Sequence, residues 1–393
     1  MPEEPAPETR CIHGGQDRKD PGLAPPIFPA SVYAFSSLQE SIDTFEGRRH
    51  APLYARYGHP TGEEVEERIA SLEGAEACIL TASGMSVVSS LVAAACKPGD
   101  HVIASKEQYG GTTELLKITA VSSGVEVEFL PLEAFSKVGT RVRDTTRLIV
   151  LESPSNPLMR VADFKALFRS LGSAPDSERP LVVLDGTLAT PLGQSALKAG
   201  FDLVFHSATK YLGGHDDLTA GAVSGKKEWI DRLREKRRVM GAMCDPFCAW
   251  LLGRGLKTLA VRWERQCGNA AVLAERLEGH PRVERVFHLS RPSHPHHALA
   301  REQMRSFGAL LAFEVAGGID AARRAYDRFK LIARAPSLGG VESMSLHPAT
   351  SSHRQLSLAE REAVGIRDGL LRLSVGIENF EDLWRDLSHA LES

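Results

Sequence analysis

Asp202-Leu203-Val204-Phe205-His206-Ser207-Ala208-Thr209-Lys210 joins a short apolar run to a single lysine. Leu203, Val204 and Phe205 have the bulk expected of a buried strand. The run stops at the small polar residues Ser207 and Thr209, and Gly213 and Gly214 break any continuing element. A lysine just past a buried strand stands where an open α/β sheet binds its ligands. Removed from water it gives up its proton more readily, which Schiff-base chemistry requires. A lone lysine after a strand is ordinarily a solvated surface group, so its neighbours decide the reading.

Outward from this stretch, strand and helix alternate. Ala77 to Leu80 reads as a strand, followed by Thr81-Ala82-Ser83-Gly84-Met85-Ser86 and a small-residue helix through Ala95. The first amides of that helix are free donors and its dipole favours an anion. With one glycine, this motif alone is no more than an ordinary turn. His101 to Ser105 is a strand that leads into Gln108-Tyr109-Gly110-Gly111-Thr112 and another helix. Val125 to Leu130 and Arg147 to Leu151 are strands, and the second runs into Glu152-Ser153-Pro154-Ser155-Asn156-Pro157. Leu181 to Leu184 ends in Asp185-Gly186-Thr187, and Thr219 to Ser224 closes the series. Such alternation over 61–225 predicts a mostly parallel sheet covered on both faces. Right-handed crossovers then place the strands' C-terminal ends on one edge. Ser83, Tyr109, Asn156, Asp185, Ser207, Thr209 and Lys210 all fall at those ends.

The flanks differ. Met1 to Arg10 is rich in Pro and Glu and reads as a disordered lead-in without signal-peptide features. Residues 11–60, with Pro21, Gly22, Pro25, Pro26 and Pro29, read as an extended arm. The arm carries Tyr54-Ala55-Arg56-Tyr57-Gly58, which alone looks like surface decoration. Thr61 to Leu72 is expected to be a helix with Thr61 as N-cap and Glu64 as its capping-box partner. Trp229 to about Glu278 is helix-rich, and the remainder has strands at Val283–His288, Ala309–Val315 and Leu371–Val375. Helices are expected around Ala321–Phe329 and Phe380–Leu391. The expected division is an arm over 1–60, an α/β domain over 61–255 and a smaller α+β domain over 256–393.

Composition excludes several classes. With 42% apolar and 25% charged residues the 393-residue chain has a soluble globular profile, and a net charge of -3 implies no nucleic-acid partner. No apolar run approaches a membrane span, and a cytoplasmic protein is expected. Cys244 and Cys248 lack a second ligand pair at zinc spacing. His294-Pro295-His296-His297 reads as a solvated loop rather than a metal site, so no metal is expected.

A lysine, a carboxylate, an aromatic ring and an anion pocket on one sheet edge match the needs of pyridoxal 5'-phosphate. Lys210 would form the Schiff base, and Asp185 would pair with the ring nitrogen. Tyr109 would stack on the ring. Gly84, Met85, Ser207 and Thr209 would hold the phosphate. Arg372, in Leu371-Arg372-Leu373-Ser374, is a charge among strand residues and would fork onto a substrate carboxylate.

In combination these motifs resemble the cystathionine γ-synthase/γ-lyase family of fold type I enzymes over residues 10–391. The matching stretches include Tyr54-x-Arg56-Tyr57-Gly58-His59-Pro60-Thr61, Ala82-Ser83-Gly84-Met85, Glu152-Ser153-Pro154-x-Asn156-Pro157, Ser207-Ala208-Thr209-Lys210-Tyr211 and Ser337-Leu338-Gly339-Gly340. The resemblance implies a mostly parallel seven-stranded sheet domain with a smaller C-terminal α+β domain. It implies Lys210 as cofactor lysine and proton shuttle, with Tyr109 and Tyr54 beside it at the catalytic centre. Ser83, Gly84, Met85, Ser207 and Thr209 match cofactor binders, and Asn156, Ser337 and Arg372 match residues around the substrate carboxylate. Tyr54 and Arg56 match residues that reach a neighbouring subunit's phosphate, which implies a homotetramer built from site-sharing dimers.

Some positions depart from the pattern. Pro336 stands where many γ-lyases have glutamate, Glu114 where many members have arginine, and Leu188 where an aromatic is usual. Gly111 stands where methionine γ-lyases often place cysteine. Ala335-Pro336-Ser337 and Asp185-Gly186-Thr187 look like plant-type γ-synthases. The leading expectation is therefore cystathionine γ-synthase. Cystathionine γ-lyase follows, then methionine γ-lyase or O-acylhomoserine sulfhydrylase. The alternative from another class is a cofactor-binding scaffold that has lost catalysis.

Overall fold

Continuous apolar runs become the middle of a sheet because both faces of each strand are covered. The computed structural model describes residues 5–15, 22–172, 179–354 and 357–392. Seven strands form the larger sheet: β1 Ala77–Thr81, β2 His101–Ser105, β3 Glu126–Leu130, β4 Thr146–Glu152, β5 Leu181–Asp185, β6 Leu203–Ser207 and β7 Gly221–Gly225. Their order is β1-β7-β6-β5-β4-β2-β3. The pairs β6–β5, β5–β4, β4–β2 and β2–β3 are parallel. β7 runs antiparallel to both β6 and β1, so β1 shares the direction of the parallel set. The expectation that every strand ends on one edge thus fails for β7. Ser207 pairs with Gly221, and it is the start of β7 that lies at that edge.

The central residues Ile103, Ile149, Val182 and Val204 are buried on one face, while Val102, Val150, Val183 and Phe205 are buried on the other. Each set joins a separate apolar cluster, which is how crossover helices cover both faces. A second sheet follows: β8 Val283–Phe287, β9 Leu310–Val315, β10 Ala333–Arg334, β11 Met344–Leu346 and β12 Leu370–Ser374, in the order β10-β11-β12-β9-β8. The helix Leu259–Glu278 serves both cores. Its Leu259 and Trp263 pack into a cluster with Leu80 and Tyr211, and its Ala270, Leu273 and Leu277 into one with Phe313 and Leu373. Among the described residues no helix is long and apolar enough to cross a membrane.

Several local expectations are corrected. The arm contains helices at Pro7–His13 and Leu38–Phe45. The first takes in Pro7–Arg10 of the expected disordered lead-in. Met1–Glu4 and Pro21 lie outside the described residues. The helix Pro60–Glu73 is capped by His59, whose ring Nδ1 accepts from the Gly62 amide at 3.0 Å, not by Thr61. Thr61 is buried, accepting from Phe28 N at 2.9 Å and donating to Pro26 O at 3.3 Å. Glu64 pairs with Arg68 at 2.8 Å instead of closing a capping box. The histidine cluster is not a solvated loop. His294, His296 and His297 bond to the carbonyls of Leu158, Val161 and Leu289, and burial takes His294 down to about 4.

Candidate active site

The ends of β1, β2, β4, β5 and β6 open onto a cleft of ≈ 280 Å³. Ser83, Gly84 and Met85 enter it from the turn after β1, and Tyr109 from the turn after β2. Asn156 follows β4, Asp185 ends β5, and Ser207, Thr209 and Lys210 come from the end of β6 and beyond. Arg372 reaches in from β12 of the second sheet. Chain segments far apart in sequence thus meet because strand direction, not sequence proximity, selects the edge.

The turn after β1 begins the helix Gly84–Ala95. Ser83 caps it, its hydroxyl accepting from Ser86 N at 3.1 Å while Ser83 N donates back to Ser86 Oγ at 3.0 Å. The amides of Gly84 and Met85 remain first-turn donors without an intrahelical partner. A methyl group at Gly84 would lie 3.1 Å from Ser207 Cβ. Glycine therefore lets the helix start approach the end of β6, leaving a cradle for an anion. The Thr209 hydroxyl already accepts from Ala220 N at 3.1 Å and donates to Ala220 O at 3.2 Å.

Lys210 Nζ donates to Ser337 Oγ at 2.9 Å. Burial, and next the positive charge of Arg372, hold its pKa below the ordinary lysine value; Asp216 opposes them. Arg372 is only 2% exposed. It donates from Nη2 to Ser337 O at 2.6 Å and from Nη1 to Asn156 Oδ1 at 3.5 Å. Burial lowers its pKa to about 10. Ser337 therefore links the amine to the guanidinium.

Asp185 accepts from Thr187 N at 3.0 Å and from the Thr187 hydroxyl at 2.5 Å. Burial raises its pKa, while the Thr187 bonds and His206 act the other way. Directly across the ladder, Glu152 pairs in register with Asp185. Burial and then the charge of Asp185 push Glu152 well above the carboxylate range, against the pull of two backbone N–H donors from Tyr109 and Asn156. The Tyr109 side chain is 55% exposed and lies across Gly111, where a Cβ would come within 2.6 Å of Tyr109 Cε1.

The structure brings together Lys210, Asp185, Tyr109, Ser83, Gly84, Met85, Ser207, Thr209, Asn156, Ser337 and Arg372. It does not bring Tyr54 or Arg56 to the cleft of their own chain. Arg56 donates to Arg238 O at 3.0 Å and sits 5.4 Å from the centroid of the Tyr54 ring. Glu152 and Thr187 were given no role from sequence. The signal for Glu152 was present, since it ends an apolar strand just as Asp185 does.

A family model described as Cys/Met metabolism PLP-dependent enzyme matches residues 8–392. The chain belongs to this family of pyridoxal-phosphate enzymes. It is 40% identical over 387 residues to an L-methionine gamma-lyase of Fusobacterium nucleatum subsp. polymorphum, covering 98% of this chain and 97% of that protein. It is 38% identical over 385 residues to an O-succinylhomoserine sulfhydrylase of Pseudomonas aeruginosa, covering 98% and 94%. Among solved structures, a cystathionine gamma synthase from Xanthomonas oryzae pv. oryzae is similar with a TM-score of 0.91 at 34% identity, covering 99% of this chain and 98% of that one. The expected fold type and cofactor are thereby established. The cleft fits the cofactor on its own terms, with a glycine cradle at a helix start, a lysine shifted toward its neutral form and a carboxyl at the wall.

Proposed function

We propose that the protein acts at Cγ of homoserine-derived amino acids, with cystathionine formation from an activated homoserine and cysteine as the leading reaction. The observation that carries the amino-acid reading is the Lys210–Ser337–Arg372 arrangement, in which a depressed amine and a buried guanidinium share one residue; reaction at Cγ is supported by the likeness to the γ-lyase and γ-synthase relatives. Arg372 grips the substrate carboxylate and so fixes where Cα lies. Lys210, held by Ser337 and pushed toward its neutral form, removes the α-proton and carries protons onward. Asp185 keeps the cofactor ring nitrogen protonated, and Tyr109 covers the ring. Gly84, Met85 and Ser207 bind the phosphate, with Thr209 contributing where it can exchange its bond to Ala220. When bound, pyridoxal phosphate supplies the electron sink that acidifies the substrate's Cα and Cβ hydrogens.

The synthase reading is supported by the whole-chain likeness to the Xanthomonas enzyme and by Ala335-Pro336-Ser337 in the sequence. γ-Elimination of L-methionine is a second reading, favoured by two observations. The cleft walls include Met85, Val88, Leu188, Leu338 and Leu346, and Lys210 and Arg372 are the only cations among the described lining residues. Such a wall suits a small uncharged γ-substituent.

We further place Tyr54 and Arg56 in the cleft of a neighbouring copy within a homotetramer. The exposed apolar side chains of Leu23, Val32 and Phe45 on the arm support a second copy there. Product analysis tests the reaction. Protein loaded with cofactor and given an O-acylhomoserine with cysteine should yield cystathionine. Release of 2-oxobutanoate from methionine, without cystathionine synthesis, would replace the first reading by the second. Absence of turnover across both substrates and cystathionine would leave the scaffold alternative standing.

A further inference from the structure

Among the described residues lining the cleft, Glu152 is a buried carboxyl for which the mechanism above has no task. Its two oxygens face different loops. Oε2 accepts from Tyr109 N at 2.7 Å, and Oε1 accepts from Asn156 N at 3.0 Å. Tyr109 N belongs to the turn after β2, at the start of the helix Gly110–Ser123, and that helix has no side-chain cap of its own. Asn156 N belongs to the turn after β4. The Tyr109 ring is largely exposed, so its place is set by its backbone and by the glycine beneath it. Asn156 in turn holds Arg372.

We propose that Glu152 is a positioning residue that fixes the aromatic cover of the cleft and the carboxylate grip relative to each other. One rigid carboxyl spans two turns from two strands, so neither can shift without breaking its bond to that carboxyl. The carboxyl also places an acceptor oxygen at a helix start, where the first amides have no intrahelical partner. Glutamate is required because both oxygens must accept. In Glu152→Gln one acceptor becomes an NH₂ group facing an N–H donor, and one of the two turns is released.

The inference rests on the roles proposed for Tyr109 and Asn156, and its main readout does not depend on turnover. Amide hydrogen exchange is followed in the cofactor-loaded protein. In the wild type, the amides of Tyr109 and Asn156 should both be protected. In E152Q at least one should exchange about tenfold faster or more, and the circular dichroism induced in the bound cofactor's visible band should change. With the leading substrate, kcat should fall about 10- to 100-fold with KM moving less than about threefold, since small misplacements at a reacting centre have effects of this order. Residue support of a purely structural kind would lower the melting temperature but leave the dichroism and kcat of the folded protein unchanged, and that result overturns the proposal. If E152Q does not fold, the wild-type measurement decides alone. Rapid exchange at either amide refutes the clamp, and joint protection supports it. Normal exchange behaviour with a failed product assay would sink the proposed reaction but not the clamp.

Discussion

Replacing Arg372 separates the carboxylate grip from the chemistry. The guanidinium donates to Ser337 O at 2.6 Å and to Asn156 Oδ1 at 3.5 Å, and its Nε has no partner among the described residues. Of five N–H donors, three remain for a ligand, enough for a two-pronged bond to a carboxylate. Charge-assisted hydrogen bonds contribute about 1.5–3 kcal/mol each. Arg372→Leu removes both prongs, or about 3–6 kcal/mol, so kcat/KM should fall about 10²- to 10⁴-fold. Arg372→Lys keeps the charge but loses one prong, and a fall of about 10- to 100-fold is expected. Neither change should unfold the protein, because among the described residues Arg372 has no ion-pair partner that its loss would leave as an unpaired buried charge. The assay compares kcat/KM for an amino-acid substrate and for its carboxamide. Wild type should favour the acid strongly, and R372L should lose that preference. A pH limb that follows Lys210 should also move upward in R372L, since Arg372 is one of the groups lowering that pKa. If R372L retains wild-type kcat/KM within about threefold, or still discriminates acid from amide, the grip is assigned to the wrong residue.

Two further outcomes are expected. Lys210→Ala and Tyr54→Ala should each abolish turnover, yet co-expression of the two variants should restore about a quarter of wild-type activity, because hybrid dimers hold one site with both side chains intact; no recovery would show that Tyr54 does not work across a subunit boundary. His288 and His294 are buried with pKa values lowered to about 4, so the unfolded chain, near 6.5, binds more protons between those limits and stability falls as pH drops from about 6.5 toward about 4. Each group accounts for about 3 kcal/mol over that window, and urea unfolding of His288→Gln at pH 7, 6 and 5 should show a shallower decline; an unchanged slope would contradict the assignment.

The sheet and most of the cleft were legible because buried parallel strands are continuous apolar runs, and the polar residue ending each run marks the binding edge. Asp185, Asn156 and Lys210 were found this way. The direction of β7 was not legible, since Gly221-Ala222-Val223-Ser224-Gly225 has the same small-residue pattern whether the chain arrives by crossover or by hairpin. The helix start at residue 60 was misread because Thr61 and Glu64 satisfy the capping-box spacing, while a tertiary contact to Phe28 claims the threonine. The helix Leu38–Phe45 was missed within the expected extended arm, although a cap signal for it was there. Ser37 accepts from Glu40 N at 3.1 Å, the serine–glutamate spacing present in the sequence. Tyr54 and Arg56 carry no signal within one chain, because their proposed work lies on another.

The reversed seventh strand has a consequence for how the protein comes to be made. Of the pairs formed by β6, the one with β7 closes a loop over residues 208–220 only, and Thr209 and Ala220 tie its neck with three bonds. Contacts so local form sooner than those that must bring distant crossovers together. The lysine therefore rides on the shortest connection that any pair in the larger sheet has to close, so the stretch presenting the reactive amine is the one least dependent on distant chain to hold its course.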